Sequence, residues 1–367
     1  MLPIVALVVL FLLVSPPLCR IAISAGLVDR PSGRKRHVGE VPLVGGIGIY
    51  LCLLVSLAMP MGGHLPPVLL ALGGAILLMG FIDDKLDLGA RVRFVLQLLI
   101  ALAMVLAGDV RIESIGSILG GDPLLMHGWV SVVFSVVCIV GVINAINMID
   151  GLDGLSGGIL LSSFAALAWL ATSAGRMEDA YALSAVCALL AAFLWLNSRL
   201  FRPRATLFLG DSGSMLLGLI LSWYVISLTQ AGTQPVAMSP VAAGWIFGLP
   251  LLETVAVMVG RMIERRSPFE AGRDHLHHRL RARGYSVGIS VALMVAVHTL
   301  FVVTGLLAPV DGSRDALLFW CFVAIVLLQV LVIQGSKQIE WAMDTLQRRH
   351  ARTESLVDLG NDSSKTE

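Results

Sequence analysis

Eleven apolar runs long enough to cross a bilayer constrain this chain more than any other feature. They lie near 2–19, 43–60, 66–82, 92–107, 129–147, 155–173, 179–197, 212–229, 241–259, 290–308 and 316–334. A spanning helix needs roughly 17–25 mainly apolar residues. Backbone groups in hydrocarbon must be bonded within their own segment, so such runs become helices. The expected fold is therefore an all-α integral membrane protein with about 11 transmembrane helices. The first run has no basic n-region and no small-residue cleavage site, and is expected to remain as a helix.

The loops alternate in basic content. Of the 26 Lys and Arg residues, all but Arg111, Arg176 and Arg314 fall in loops 20–42, 83–91 with the adjoining helix start, 198–211, 260–289, or the C-terminal tail. Basic loops stay in the cytoplasm, which puts the N-terminus outside and the C-terminus inside. A single polytopic domain over 1–334 is expected, with catalytic loops 20–42, 83–91, 148–154, 198–211 and 260–289 on the cytoplasmic face. The tail, 335–367, reads as a short interfacial helix carrying Ile339, Met343 and Leu346, followed by a polar disordered end.

Composition agrees. Apolar residues make up 57% and charged residues 14%, against about 45–50% and about 25% in soluble domains. A net charge of +1 gives no reason to expect a nucleic-acid partner. Cys19, Cys52, Cys138, Cys187 and Cys321 are odd in number and sit inside apolar runs, so they read as small core hydrophobes. Pro16-Pro17 before Leu18-Cys19 argues against a lipidation site there.

Charge is costly in a bilayer, so four polar clusters at the ends of apolar runs call for a purpose. Asp83-Asp84 ends one run, and adjacent carboxylates that repel each other favour a cation or a shared proton. Asn144, Asn147, Asp150 and Asp153 repeat at a spacing of three. Gly151, Gly154, Gly157 and Gly158 around them leave backbone open to a ligand. Asp211 lies in a small-residue turn, Gly210-Asp-Ser-Gly-Ser214, that suits either Mg²⁺ and phosphate or an ordinary helix cap. All three clusters fall on the expected cytoplasmic side, as one site requires.

His275-Leu-His277-His278 is the fourth cluster. Three histidines could suggest zinc, yet no cysteine is near. Arg265, Arg266, Arg273, Arg279 and Arg281 would repel a dication. Arginine with histidine suits a diphosphate better, so His275, His277, His278 and Arg279 are read as anion-binding. Glu253, inside a run, is either a site-lining group or a structural partner for a loop arginine. His64, His127 and His298 have no carboxylate partners and read as incidental.

These motifs, in this order, resemble the polyprenyl-phosphate N-acetylhexosamine-1-phosphate transferases. The resemblance runs from Gly26 to Gly284. It takes in Gly26-Leu-Val-Asp-Arg-Pro, Arg34-Lys-Arg-His37, Pro42-Leu-Val-Gly-Gly46, Asp83-Asp84, Asn147-Met-Ile-Asp-Gly-Leu-Asp-Gly154, Gly210-Asp-Ser-Gly-Ser214 and His275-Leu-His-His278. It implies a bacterial inner-membrane enzyme. The phosphate of undecaprenyl phosphate would attack the β-phosphorus of a UDP-N-acetylhexosamine, release UMP, and so initiate a cell-envelope polysaccharide such as O-antigen or enterobacterial common antigen. It also implies Mg²⁺, or Mn²⁺ in its place, and leaves a homodimer open. By the same resemblance Asp211 is a metal ligand, and Asp83 and Asp84 serve metal or deprotonate the lipid phosphate. Asp150 and Asp153 serve catalysis or donor contact. Asn144, Asn147 and Arg91 are expected to bind substrate, with Arg91 standing where relatives carry Lys. Glu253 replaces an Asp. The His-Leu-His-His form is closer to the GlcNAc-1-phosphate branch than to the lipid I branch, which favours UDP-GlcNAc over another UDP-HexNAc or the phospho-MurNAc-pentapeptide donor.

Chemistry on two anions supports the same class, because charge must be neutralised and an in-line displacement aligned. A transporter would carry charges mid-span and inverted repeats, and neither is evident. A scaffold for other transferases would not need the Asp clusters.

Overall fold

The computed structural model describes residues 2–29, 39–60, 62–200, 202–232, 234–267 and 274–338. The Arg34–His37 motif, Arg273 and the expected interfacial helix with Ile339, Met343 and Leu346 lie outside them. Among the described residues the fold is helical apart from loops, one short antiparallel pair, β1 (Val28–Asp29) and β2 (Val41–Pro42), and two isolated bridges, Leu43 to Phe208 and Ser114 to Leu125.

Nine helices are long and apolar enough to cross a membrane among the described residues. They are α1 (Leu2–Ala25), α3 (Pro67–Leu86), α4 (Ala90–Ala107), α5 (Gly128–Ile149), α6 (Leu155–Ser173), α7 (Met177–Asn197), α8 (Gly210–Thr229), α12 (Val287–Leu306) and α13 (Asp315–Gln338). The chain is a multi-pass membrane protein.

Two of the expected spans come out differently. The run at 43–60 yields α2 (Gly45–Ser56), only 12 residues, which at 1.5 Å per residue reaches about 18 Å. Its apolar composition continues into a turn at Leu57–Met59, where the helix has already ended. The run at 241–259 is broken at Phe247 into α9 (Pro240–Ile246) and α10 (Gly248–Ile263), bent by 87°. Pro250 explains the break: it has no N–H to return to the carbonyl of Ile246 four residues earlier. Ser163 donates to that carbonyl instead, at 2.7 Å. His298, read as incidental, is buried beside it, with Nε2 3.0 Å from the Ser163 hydroxyl.

The hub is α8, which is nearly all buried. Small residues on every side let neighbouring backbones close in, as in helix pairs packed without a hydrophobic drive. A Cβ on Gly213 would stand 2.6 Å from the Gly46 Cα, and one on Gly80 would stand 2.4 Å from the Ser212 Cα. The ends of α2 and α3 are thereby brought against the start of α8, where Asp211 lies.

Candidate active site

The N-terminus of α8 leaves backbone N–H groups with no partner in the helix, a natural place for an acceptor. Asp84, in the last turn of α3, fills it. Its Oδ1 accepts from the Asp211 N–H at 2.9 Å and its Oδ2 from the Ser212 N–H at 3.2 Å. Gly210 turns into the helix with φ +76, where a side chain would be strained and its Cβ would stand 2.8 Å from the Asp84 carboxylate. On the other flank Gly45 and Gly46 donate to the carbonyls of Phe208 and Leu209 at 2.8 and 3.1 Å. The Pro42–Gly46 motif is thus a brace for the Asp211 turn.

Asp83 has different backbone and side-chain partners. It is buried, its Oδ1 accepting from the Leu88 N–H at 2.9 Å and its Oδ2 from Arg93 Nη1 at 2.7 Å. The same Arg93 nitrogen is 3.8 Å from Asp211 Oδ2. Asp211 Oδ1 accepts from Asn147 Nδ2 at 2.8 Å, and Asn147 also reaches the Ser214 hydroxyl at 3.0 Å. Asp83, Asp84, Asn147 and Asp211 are therefore brought together from three separate helices, with Arg93 as the cation between them. Asp211 has the most unspent capacity, its side chain being 40% exposed.

Other candidates have partners of their own. Asn144 is held within the bundle, donating to Gln97 Oε1 at 2.7 Å and to the Val140 carbonyl. Asp150 accepts from the Ser156 hydroxyl. Asp153 is paired with Arg199 at 2.6 Å. Arg91 is exposed at the start of α4, whereas Arg93 turns inward.

The histidine turn packs against the 150–154 loop at Gly151. A Cβ there would stand 2.5 Å from His277 Nε2, so only glycine lets the imidazole lie against the 150–154 loop. His277 is buried and stacked on His275 with centroids 5.8 Å apart; His278 lies 4.2 Å away on its other side. Burial, with the neighbouring His278 and His275, pushes His277 down to about 3, so it is neutral near pH 7. Its Nδ1 is buried without a hydrogen-bond partner among the described residues. Helix α11 (Leu276–Ala282) begins here, and Glu253 Oε2 accepts the Leu276 N–H at 2.7 Å. Glu253 is thus a buried partner of the turn's backbone, and among the described residues its hydrogen bonds are to Leu276 and Gln329 and not to the expected loop arginine. Arg279 instead reaches α13, donating to Ser336 Oγ at 2.9 Å and the Val332 carbonyl at 3.3 Å.

Arg93, Gln97 and Asn197 were not among the expected site residues. Asn197 accepts the Gly154 N–H at 2.7 Å and donates to the Leu207 carbonyl at 3.0 Å, tying the two loops together. Arg93 and Gln97 are four apart and share a face of α4. A lone glutamine in an apolar run was the signal for that face.

Residues 67–229, α3 through α8, match the domain described as glycosyl transferase family 4. A Yersinia pestis protein named undecaprenyl-phosphate alpha-N-acetylglucosaminyl 1-phosphate transferase is 31% identical over 91% of this chain and 90% of the relative. A Haemophilus influenzae protein of the same name is 34% identical over 89% and 92%. The chain belongs to glycosyl transferase family 4. Its Escherichia coli K12 relative, again of that name, is 32% identical over 79% of this chain and 78% of the relative. The matched family 4 domain contains every carboxylate of the Asp84–Asp211 centre, but the histidine turn lies beyond it. As a family 4 member the protein is a phosphoglycosyltransferase, and its resemblance to the polyprenyl-phosphate transferases extends over most of its length.

Proposed function

We propose that the protein transfers GlcNAc-1-phosphate from UDP-GlcNAc to undecaprenyl phosphate on the cytoplasmic face of a bacterial inner membrane. An oxygen of the lipid phosphate forms a bond to the β-phosphorus of the donor. The bond from that phosphorus to the bridging oxygen breaks, and UMP leaves. The lipid-linked product would start an envelope polysaccharide such as O-antigen or enterobacterial common antigen. The observation that carries this is the Asp211 centre, a carboxylate fixed by Asn147 and Asp84 beside Arg93, within the family match. Relatives named for the same acceptor and sugar support it.

Mg²⁺ fits this centre through Asp211. Such an ion is held by one or two carboxylates plus substrate phosphates and waters, and Asp211 alone of the three presents a largely unspent, exposed carboxylate. Asp83 and Asp84 each have both oxygens accepting hydrogen bonds from the protein, so they would orient Asp211 and Arg93 and leave Asp211 to hold the ion. The ion would neutralise diphosphate charge as the two anions meet. Arg93 would add a fixed cation. The neutral His277, with its unpartnered nitrogen, is suited to a hydrogen bond with the donor.

Purified protein given undecaprenyl phosphate and a panel of UDP-sugars tests this. UDP-GlcNAc should give stoichiometric UMP and lipid-linked sugar, faster than UDP-GalNAc or the phospho-MurNAc-pentapeptide donor. Preference for another donor would replace the sugar, and no UMP from any donor would remove the reaction. Cysteines placed at 86, 152, 206 and 276 should label from the cytoplasm. A periplasmic signal would break the orientation.

A further inference from the structure

α13 is largely exposed along its length, with Leu327, Leu328 and Leu331 facing away from the bundle. Its polar residues nonetheless converge on the histidine turn and the end of α10. Gln329 donates to Glu253 Oε1 at 2.9 Å, the same carboxylate that accepts the Leu276 N–H. Ser336 and the Val332 carbonyl receive Arg279. Gln334 reaches the Gly260 carbonyl and Glu264 Oε1, each at 3.1 Å.

Lys337 closes the set. Its Nζ is 2.8 Å from Glu264 Oε1 and 2.8 Å from Asp274 Oδ1. Asp274 directly precedes His275, and its other oxygen is 3.4 Å from the buried Arg261 of α10. Burial alone would raise the Asp274 carboxyl, but Lys337 and Arg261 outweigh it and hold it below the usual range. Asp274 is therefore an anion gripped from α10 on one side and α13 on the other.

We propose that Lys337 is a positioning residue for the His275–His278 turn: by tying Asp274 to the end of α10, it lets α13 set where the histidines stand relative to the nucleotide-sugar donor. The inference rests on the donor-facing role given to that turn above. It makes the last helix part of donor recognition although none of its residues belongs to the Asp211 centre.

Steady-state UMP release by the full-length protein, in lipid nanodiscs, is the test. Lys337→Ala should raise the KM for UDP-GlcNAc by about five- to tenfold, with kcat and the KM for undecaprenyl phosphate little changed. Lys337→Arg, which can still bridge both carboxylates, should restore the donor KM. Leu328→Ala alters an α13 side chain that faces away from the bundle and should leave the donor KM alone. If Lys337→Ala folds poorly, Asp274→Asn must raise the donor KM in its place. An unchanged donor KM, or equal effects from Lys337→Ala and Leu328→Ala, would overturn the proposal. A second readout does not need the donor: tryptic cleavage within 264–283 should be faster in Lys337→Ala than in the wild type or Lys337→Arg. Equal cleavage rates would overturn the latch even in an active enzyme. A wild type that makes no UMP from UDP-GlcNAc would sink the proposed function, and the cleavage rates would still decide the latch.

Discussion

Asp84 caps the helix that begins with Asp211, its carboxylate spanning two consecutive N–H groups at 2.9 and 3.2 Å. One of a pair of adjacent carboxylates is thereby committed to the backbone under the other loop's carboxylate. Replacing it by Ala should cost about 0.5–2 kcal/mol of stability, as other lost caps do. Activity should fall far more than stability, because Asp211 loses its seat. A thermal-shift measurement beside turnover separates the two, and a loss of activity no larger than the loss of folded protein would count against this role.

Arg93 and Arg91 should behave differently. Truncating Arg93 leaves buried Asp83 without its charged partner, a cost of about 1–3 kcal/mol, and removes the cation beside Asp211. Arg93→Ala should therefore be destabilised and nearly inactive, while Arg91→Ala, altering an exposed side chain, should keep most turnover. The reverse order would show that the cation at the site comes from Arg91.

Those two arginines also mark how far the sequence could be read. Nine of the spanning runs and the polar clusters at their ends were legible, because apolar length and charge position are local properties. Which arginine turns inward was not: residues two apart on a helix differ by about 200°, and only the bundle decides which side is inside. Asn144 and Asn147 share a spacing and a face, yet one pairs with Gln97 in the core and the other with Asp211. Their depth along α5 decides that, and no pattern in the chain encodes the depth of Gln97. The break at Phe247 was readable in principle from Pro250, whereas the hydropathy of 241–259 is continuous across it. Arg279 reads as an anion ligand from its company, and no local pattern foretells that its guanidinium also donates to α13, an element more than fifty residues on.

Gly151→Ala should hinder donor binding without touching a carboxylate. Its new Cβ would stand 2.5 Å from His277 Nε2, so the imidazole must move. A rise in KM for the nucleotide sugar, with the KM for the lipid unchanged, is the expected outcome. Equal rises for both substrates would mean that the loop, and not the histidine turn, had been displaced.

His277 makes a prediction about acid. Its folded pKa is about 3 against an ordinary 6.5. Between those values the unfolded chain takes up a proton that the folded protein refuses, so stability rises with pH there. The contribution is present above pH 6.5 and is lost as pH falls toward 3. His277→Gln should melt less steeply with acidification than the wild type between pH 6.5 and 5, roughly the upper part of that window. Parallel melting curves would show that His277 is not held neutral.

The centre at Asp211 is tested most directly by titrating UMP release with Mg²⁺ in the wild type and in Asp211→Asn, both folded and inserted. Wild-type release should require the ion. Asp211→Asn should lose orders of magnitude in turnover and need more Mg²⁺ for what remains, because the one exposed carboxylate of the centre has lost its charge. Near-normal turnover with the same Mg²⁺ titration would reduce Asp211 to the first turn of a helix and place the chemistry elsewhere.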